Sequence, residues 1–144
     1  MNAIDFLIKE HNKFRTMFAD INDPSHREET RRRIFETIHD ELIRHEEMEQ
    51  TVWYPYLRAE ANKRLNDRVK HLISEEYSAK KLMDHLSKIK NSDNWEQELL
   101  KLQKDVEHHA SEEEEELFPQ VQKIFEDSEL EMIGKKMRAF KNTH

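Results

Sequence analysis

Apolar residues recur along this chain at three- and four-residue intervals, the period of one face of an α-helix. Ile4, Leu7, Ile8, Phe14, Met17 and Phe18 form the first stripe and predict helix A, from about Asn2 to Ala19. The segment Asp20 to Ser25, with Asn22-Asp23-Pro24, breaks the pattern, since Pro and Asx residues cap and end helices. Helix B starts near Ser25 and carries Ile34, Phe35, Ile38, Leu42, Val52 and Trp53. Pro55 lacks a backbone donor and is expected to distort or end the last turn of this helix. A polar connection from Ala59 to Asp67 leads to helix C, about Asn66 to Lys90, with Val69, Leu72, Ile73, Ala79, Leu82, Met83, Leu86 and Ile89 on its stripe. The turn Asn91-Ser92-Asp93-Asn94 offers short polar side chains that cap the next helix. Helix D begins at Trp95 and buries Leu99, Leu102, Val106 and Leu117. Leu130, Ile133, Met137 and Phe140 predict a short fifth helix, Glu129 to Phe140, interrupted by Gly134 and packed across the others.

Composition agrees with helices throughout. With one Gly, three Pro and 38% charged residues, little interrupts a helix, and no strand-turn-strand pattern is visible. The expected fold is all-α: an up-and-down four-helix bundle with a short C-terminal fifth helix, one domain over residues 1–144.

Each of the four main stripes is broken near mid-length by a polar residue. These are His11 on helix A, His45 and Glu49 on helix B, Glu76 on helix C, and His109 and Glu113 on helix D. Matching Leu7-Ile8-Lys9-Glu10-His11 with Leu72-Ile73-Ser74-Glu75-Glu76 puts Glu76 where helix A has His11. The interval from His11 to His45 is 34 residues and from Glu76 to His109 is 33, so the chain reads as two similar helical hairpins. The pairs His45/Glu49 and His109/Glu113 have the same spacing, and a proline (Pro55, Pro119) follows each glutamate by six residues. At i and i+4 the two side chains share one helix face, roughly 6 Å apart. Burying six such groups unpaired would cost several kcal/mol each, in the range of about 2–7 per uncompensated polar group. Shared metal ions would compensate, and bundle cores hold di-metal sites built this way. With no cysteine, a metal here is held by imidazole and carboxylate.

The net charge of -7 argues against a nucleic-acid surface, and no basic stripe interleaved with aromatics is present. No apolar run approaches the roughly 18 residues of a membrane span, and Met1-Asn2-Ala3-Ile4-Asp5 shows no charged leader. A cytoplasmic location is expected.

A single core histidine is more often bonded to a neighbour than to a metal, but repetition on matched faces reverses that preference. Within the run Glu112 to Glu116 only Glu113 falls clearly on the buried stripe, Glu116 is borderline, and at least three of the five read as solvated. His39, His71, His85 and His108 lie off the stripes and read as surface residues. His71 and Glu75 repeat the i, i+4 spacing but point away from Glu76. Tyr54 and Tyr77 fall near the site by register, and Tyr77, about 100° round the helix from Glu76, reads as an edge residue.

With these motifs in place the chain resembles the hemerythrin-like (HHE) family over nearly its whole length. The likeness is carried by His11 in Lys9-Glu10-His11, by His45-Glu46-Glu47-Met48-Glu49, and by His109 to Glu113 leading into Leu117-Phe118-Pro119. The resemblance implies two irons, with Glu49 and Glu113 as bridging carboxylates, His11 and His45 on one iron, and His109 with a helix C group on the other. Iron-sensing hemerythrin-like domains also look similar around His45-Glu46-x-x-Glu49, which adds Glu46 as a further candidate. Oxygen-carrying members have two histidines on helix C where this chain has Glu76. The extra carboxylate stabilises the ferric state and favours redox chemistry with dioxygen or peroxide, or sensing, over oxygen carriage.

Two readings follow from the resemblance. One is a non-haem di-iron protein that binds or reacts with dioxygen, peroxide or nitric oxide. The other is an iron or oxygen sensing or storage module read by a partner protein, without turnover. A purely structural bundle with a hydrogen-bonded polar core is a third, and zinc or manganese suits the same ligand types.

Overall fold

The computed structural model describes residues 1–144 and contains helices and turns without strands. In chain order the helices are α1 (Ala3–Ile21), α2 (Glu28–Met48), α3 (Tyr54–Arg58), α4 (Lys63–Leu86), α5 (Ser92–Glu112), α6 (Phe118–Ile124) and α7 (Asp127–Thr143). A π-helical turn, Glu49–Trp53, joins α2 to α3, and a second, Glu113–Leu117, joins α5 to α6. The four long rods of the expected bundle are thus α1, α2 with α3, α4, and α5 with α6. The fifth helix, α7, packs against α1 and α2.

Helix starts follow local capping. The side chains of Asn2, Asn62 and Asn91 accept the backbone N–H of Asp5, Leu65 and Asn94, each satisfying a donor that the first helical turn leaves free. These caps start α4 and α5 three residues before the sequence expectation. In contrast α2 starts later, at Glu28, because Asp23 Oδ1 accepts the Ser25 N–H and holds the preceding turn. Helix α4 ends at Leu86 rather than Lys90, and Arg32 donates to the carbonyls of Ile89 and Lys90.

Pro55 does not end its helix. The missing donor is accommodated upstream by one wide turn, in which Tyr54 N–H reaches back to the Glu49 carbonyl. Phe118 N–H reaches the Glu113 carbonyl in the same way ahead of Pro119. Both wide turns therefore begin at the glutamates singled out by the repeat.

Helix α7 is longer than expected, since Glu126 and Glu129 form a reciprocal cap at its start. Gly134 is a packing position: a Cβ there would lie 2.8 Å from Ala3 N and 2.8 Å from Asn2 C. The bare glycine lets α7 lie directly on the start of α1.

The core divides into two apolar clusters, and the polar residues lie between them. Along α1, Leu7 belongs to one cluster and Phe14 to the other, with His11 between. Met48 and Leu42 flank His45 on α2, and Leu72 and Ala79 flank Glu76 on α4. Apolar packing above and below fixes the height of this polar layer.

Candidate metal centre

His11, His45, Glu49, Glu76 and Glu113 are all at most 4% exposed, and the His109 side chain is 14% exposed. Their inner atoms form two triads that share Glu113: His11, His45 and Glu113, and Glu49, His109 and Glu113. His11 Nε2 and His109 Nε2 each lie 3.3 Å from Glu113 Oε1, and His45 Nε2 lies 2.9 Å from Glu49 Oε1. The arrangement brings together five of the six residues expected from the sequence. Glu76, the sixth, stands beside the second triad, with Oε2 3.1 Å from His109 Nε2. Gln50 donates to its Oε1 at 2.9 Å and Tyr54 O–H to its Oε2 at 3.2 Å. Tyr77 is exposed and takes no part.

The three imidazoles are oriented alike. His11 Nδ1 is 2.6 Å from Glu114, His45 Nδ1 3.2 Å from Glu10, and His109 Nδ1 3.0 Å from Glu75. The bond to His11, reinforced by Arg15, holds the Glu114 carboxyl down at about 2. Burial alone would raise Glu10, but His45 and Lys141 outweigh it and hold it at about 2. Glu75 is raised by burial and lowered more by His109, ending below its usual value. Ionised carboxylates only accept, so each Nδ1 is the donor, and in the neutral ring each Nε2 presents a lone pair inward. Histidines that bind metals are held by outer carboxylates in this manner. Rings pack around them: Phe118 stacks on His11 at 6.2 Å between centroids, and Phe14 meets His45 edge-on at 5.4 Å.

The sequence pattern does not single out Glu10 or Glu114, and it reads Glu75, with His71, as pointing away from Glu76. Each is the immediate chain neighbour of a stripe residue, beside His11, Glu113 and Glu76 respectively. That position, about 100° round the helix, faces the next helix and was the available signal. Of the run Glu112 to Glu116, Glu115 and Glu116 are exposed, whereas Glu112 and Glu114 are partly buried beside histidines.

Both oxygens of Glu49, both of Glu113 and His11 Nε2 are buried without a hydrogen-bond partner. Native interiors rarely leave such groups unsatisfied, and a bound cation would satisfy all five atoms. The donor set, imidazole nitrogen and carboxylate oxygen, suits a borderline to hard divalent or trivalent metal. Without one, burial and Glu49 push Glu76 up to about 8, and burial and Glu76 push Glu46 up to about 9. Burial alone would push the His45 imidazole down, but Glu49 and Glu10 hold it up at about 10. Glu46 is buried beside this group but belongs to neither triad.

A cavity of about 250 Å³ opens beside the centre. His11, His45, Glu46, Glu76 and His109 line its polar side, and Phe14, Phe18, Leu42, Ala79, Val106 and Ala110 its apolar side. It is smaller than the roughly 300–1,000 Å³ of pockets that hold drug-sized ligands. No helix is long and apolar enough to cross a membrane.

Comparisons with known proteins bear on the fold and the family. The comparison with curated proteins returned no match. The chain is similar in structure to a hemerythrin HHE cation binding domain-containing protein from Mycobacterium kansasii, at a TM-score of 0.82 and 26% identity, over 99% of this chain and 86% of that one. The family model for the hemerythrin HHE cation binding domain matches residues 2–121, which include all six site residues. The chain belongs to the hemerythrin HHE cation-binding family.

Proposed function

We propose that the chain holds two iron ions between α1, α2, α4 and α5 and uses them to bind or react with dioxygen, peroxide or nitric oxide. The carrying observation is the pair of triads that share Glu113, with three imidazole nitrogens turned inward and four carboxylate oxygens left unpaired. His11 and His45 serve one metal, His109 and Glu76 the other, and Glu49 and Glu113 lie between them. When bound, iron supplies one-electron redox chemistry and coordination positions open to small ligands. The residues contribute position and charge: Glu114, Glu10 and Glu75 hold the imidazoles, and Tyr54 and Gln50 hold Glu76. The cavity size favours a diatomic ligand or peroxide over an organic substrate.

The test is iron content after anaerobic loading with ferrous iron and desalting. Two irons per chain are expected, falling below one in Glu113→Ala. Less than one iron in the unaltered chain would overturn the proposal. Exposure of the loaded protein to dioxygen, peroxide and nitric oxide, followed by optical absorption, then identifies the ligand.

A sensing or storage role without turnover is favoured by one observation: four buried carboxylate oxygens make no hydrogen bond without metal, which would couple metal binding to folding. A large melting shift on loading, with no peroxide consumed, would select that role.

A further inference from the structure

A second group of histidines and glutamates lies on the outside of the bundle, where α4 and α5 pack side by side. Each helix contributes one pair at i and i+4: His71 with Glu75 from α4, and His108 with Glu112 from α5. His71 Nε2 is 3.4 Å from Glu75 Oε2 and 3.4 Å from Glu112 Oε1. His108 Nε2 is 3.3 Å and 3.7 Å from the same two oxygens. Zinc bonds of about 2.0–2.2 Å to nitrogen and oxygen place neighbouring tetrahedral ligand atoms about 3.3–3.6 Å apart. Three of the four nitrogen–oxygen separations fall in that range, and the fourth, His108 Nε2 to Glu112 Oε1 at 3.7 Å, is slightly longer.

We propose that His71, Glu75, His108 and Glu112 form a second metal site, separate from the buried centre, that takes one divalent cation of the zinc class. His71, Glu75 and Glu112 each offer an atom within 4.8 Å of the others, and His108 supplies the fourth. The carboxylates are the inner part of the group, 19% and 9% exposed. Glu75 is held through its other oxygen by His109 Nδ1, and Glu112 has Oε2 buried and without a hydrogen-bond partner. Arg68 is the nearest competing cation. It lies 2.6 Å from Glu116 but 3.6 Å from Glu112, so its charge is directed mainly outward. The imidazoles are 54% and 68% exposed and can turn to close on a cation arriving from solvent. A part-buried acidic floor beneath two exposed imidazoles leaves the site an entry path from solvent. The nitrogen donors favour zinc, copper or nickel over magnesium and calcium, which prefer all-oxygen shells.

The test is calorimetric titration of zinc into the full chain after iron loading, comparing the unaltered protein with the double variant His71→Ala/His108→Ala and with His85→Ala, which removes an exposed histidine of α4 outside the group. One zinc equivalent is expected in the unaltered protein and in His85→Ala, with affinity at least tenfold weaker in the double variant. Iron content, read separately, reports the buried centre, which contains neither histidine. Absence of that zinc equivalent, or equal affinity in the double variant, would overturn the proposal.

Discussion

Lys141 Nζ, near the end of α7, donates to Glu10 Oε1 at 2.6 Å, and the same oxygen accepts from His45 Nδ1 at 3.2 Å. The fifth helix therefore reaches the polar layer through one buried ion pair. Lys141→Met leaves the Glu10 charge with His45 as its one close partner. Removing one partner of a buried pair costs roughly 3–5 kcal/mol, and the remaining His45 contact places the expected loss at the lower end, about 3 kcal/mol. Because Lys141 steadies Glu10, the outer partner of His45, metal binding should weaken too, by less than the roughly 10–100-fold expected for loss of Glu10 itself. Denaturant melts and metal titrations of Lys141→Met and Lys141→Arg check this, with Arg expected to restore part of both.

Gly134 tests the other attachment of α7. A Cβ at this position meets the backbone of Asn2 and Ala3 at 2.8 Å, and backbone cannot turn aside as a flexible side chain can. Gly134→Ala gains helix propensity of about 1 kcal/mol but forces α7 away from α1, an overpacking cost of about 1–3 kcal/mol. Net destabilisation is expected, measured as a lower melting temperature. A variant as stable as the unaltered protein would show that the contact relaxes freely.

The stripes made the bundle and the six polar interruptions legible, because His11, His45 and Glu49 occupy positions where the helical period demands an apolar side chain. The outer carboxylates were not legible for the opposite reason. Glu10, Glu75 and Glu114 sit off the stripes, and their partners are 35, 34 and 103 residues away on other helices. Periodicity reports which face of a helix is buried, not which neighbour that face meets. Pro55 and Pro119 announced a distortion, but a missing donor is compatible with an ended helix or a widened turn. Packing of Trp53, Tyr54, Leu117 and Phe118 in one apolar cluster accompanies the widened turn.

Protons compete with metal at the centre, and the direction of the competition is set. His45 is held up at about 10 without metal, so at pH 7 it carries a proton that a metal must displace. Glu76, at about 8, carries another. Metal loading at pH 7 should therefore release protons, and affinity should rise as pH rises towards 10, both measurable in a pH-stat titration. Metal-free stability follows linkage. The raised His45 contributes stability that is complete below 6.5 and lost as pH rises through about 10. The lowered Glu10 contributes stability present above 4.5 and lost as pH falls through about 2. Glu76 and Glu46, raised to about 8 and about 9, act the other way and cost stability as pH rises above 4.5. The metal-free protein should therefore melt highest near pH 4.5 and lose stability above it. Loading should move that optimum upwards.

Glu76 separates reactive from carrier behaviour in this centre. Its Oε2 is 3.1 Å from His109 Nε2, and Tyr54 and Gln50 fix its orientation. As a carboxylate it adds negative charge next to the proposed irons, which favours the ferric state and opposes release of intact dioxygen. Glu76→His replaces that charge with a neutral nitrogen donor. The expected outcome is a larger fraction of dioxygen released when oxygenated protein is returned to argon, followed by optical absorption. Loss of the Tyr54 and Gln50 bonds costs stability as well, about 1–3 kcal/mol for the unsatisfied groups, so iron content is measured alongside. Full iron loading with an unchanged oxygen reaction would assign the behaviour to the rest of the centre instead of Glu76.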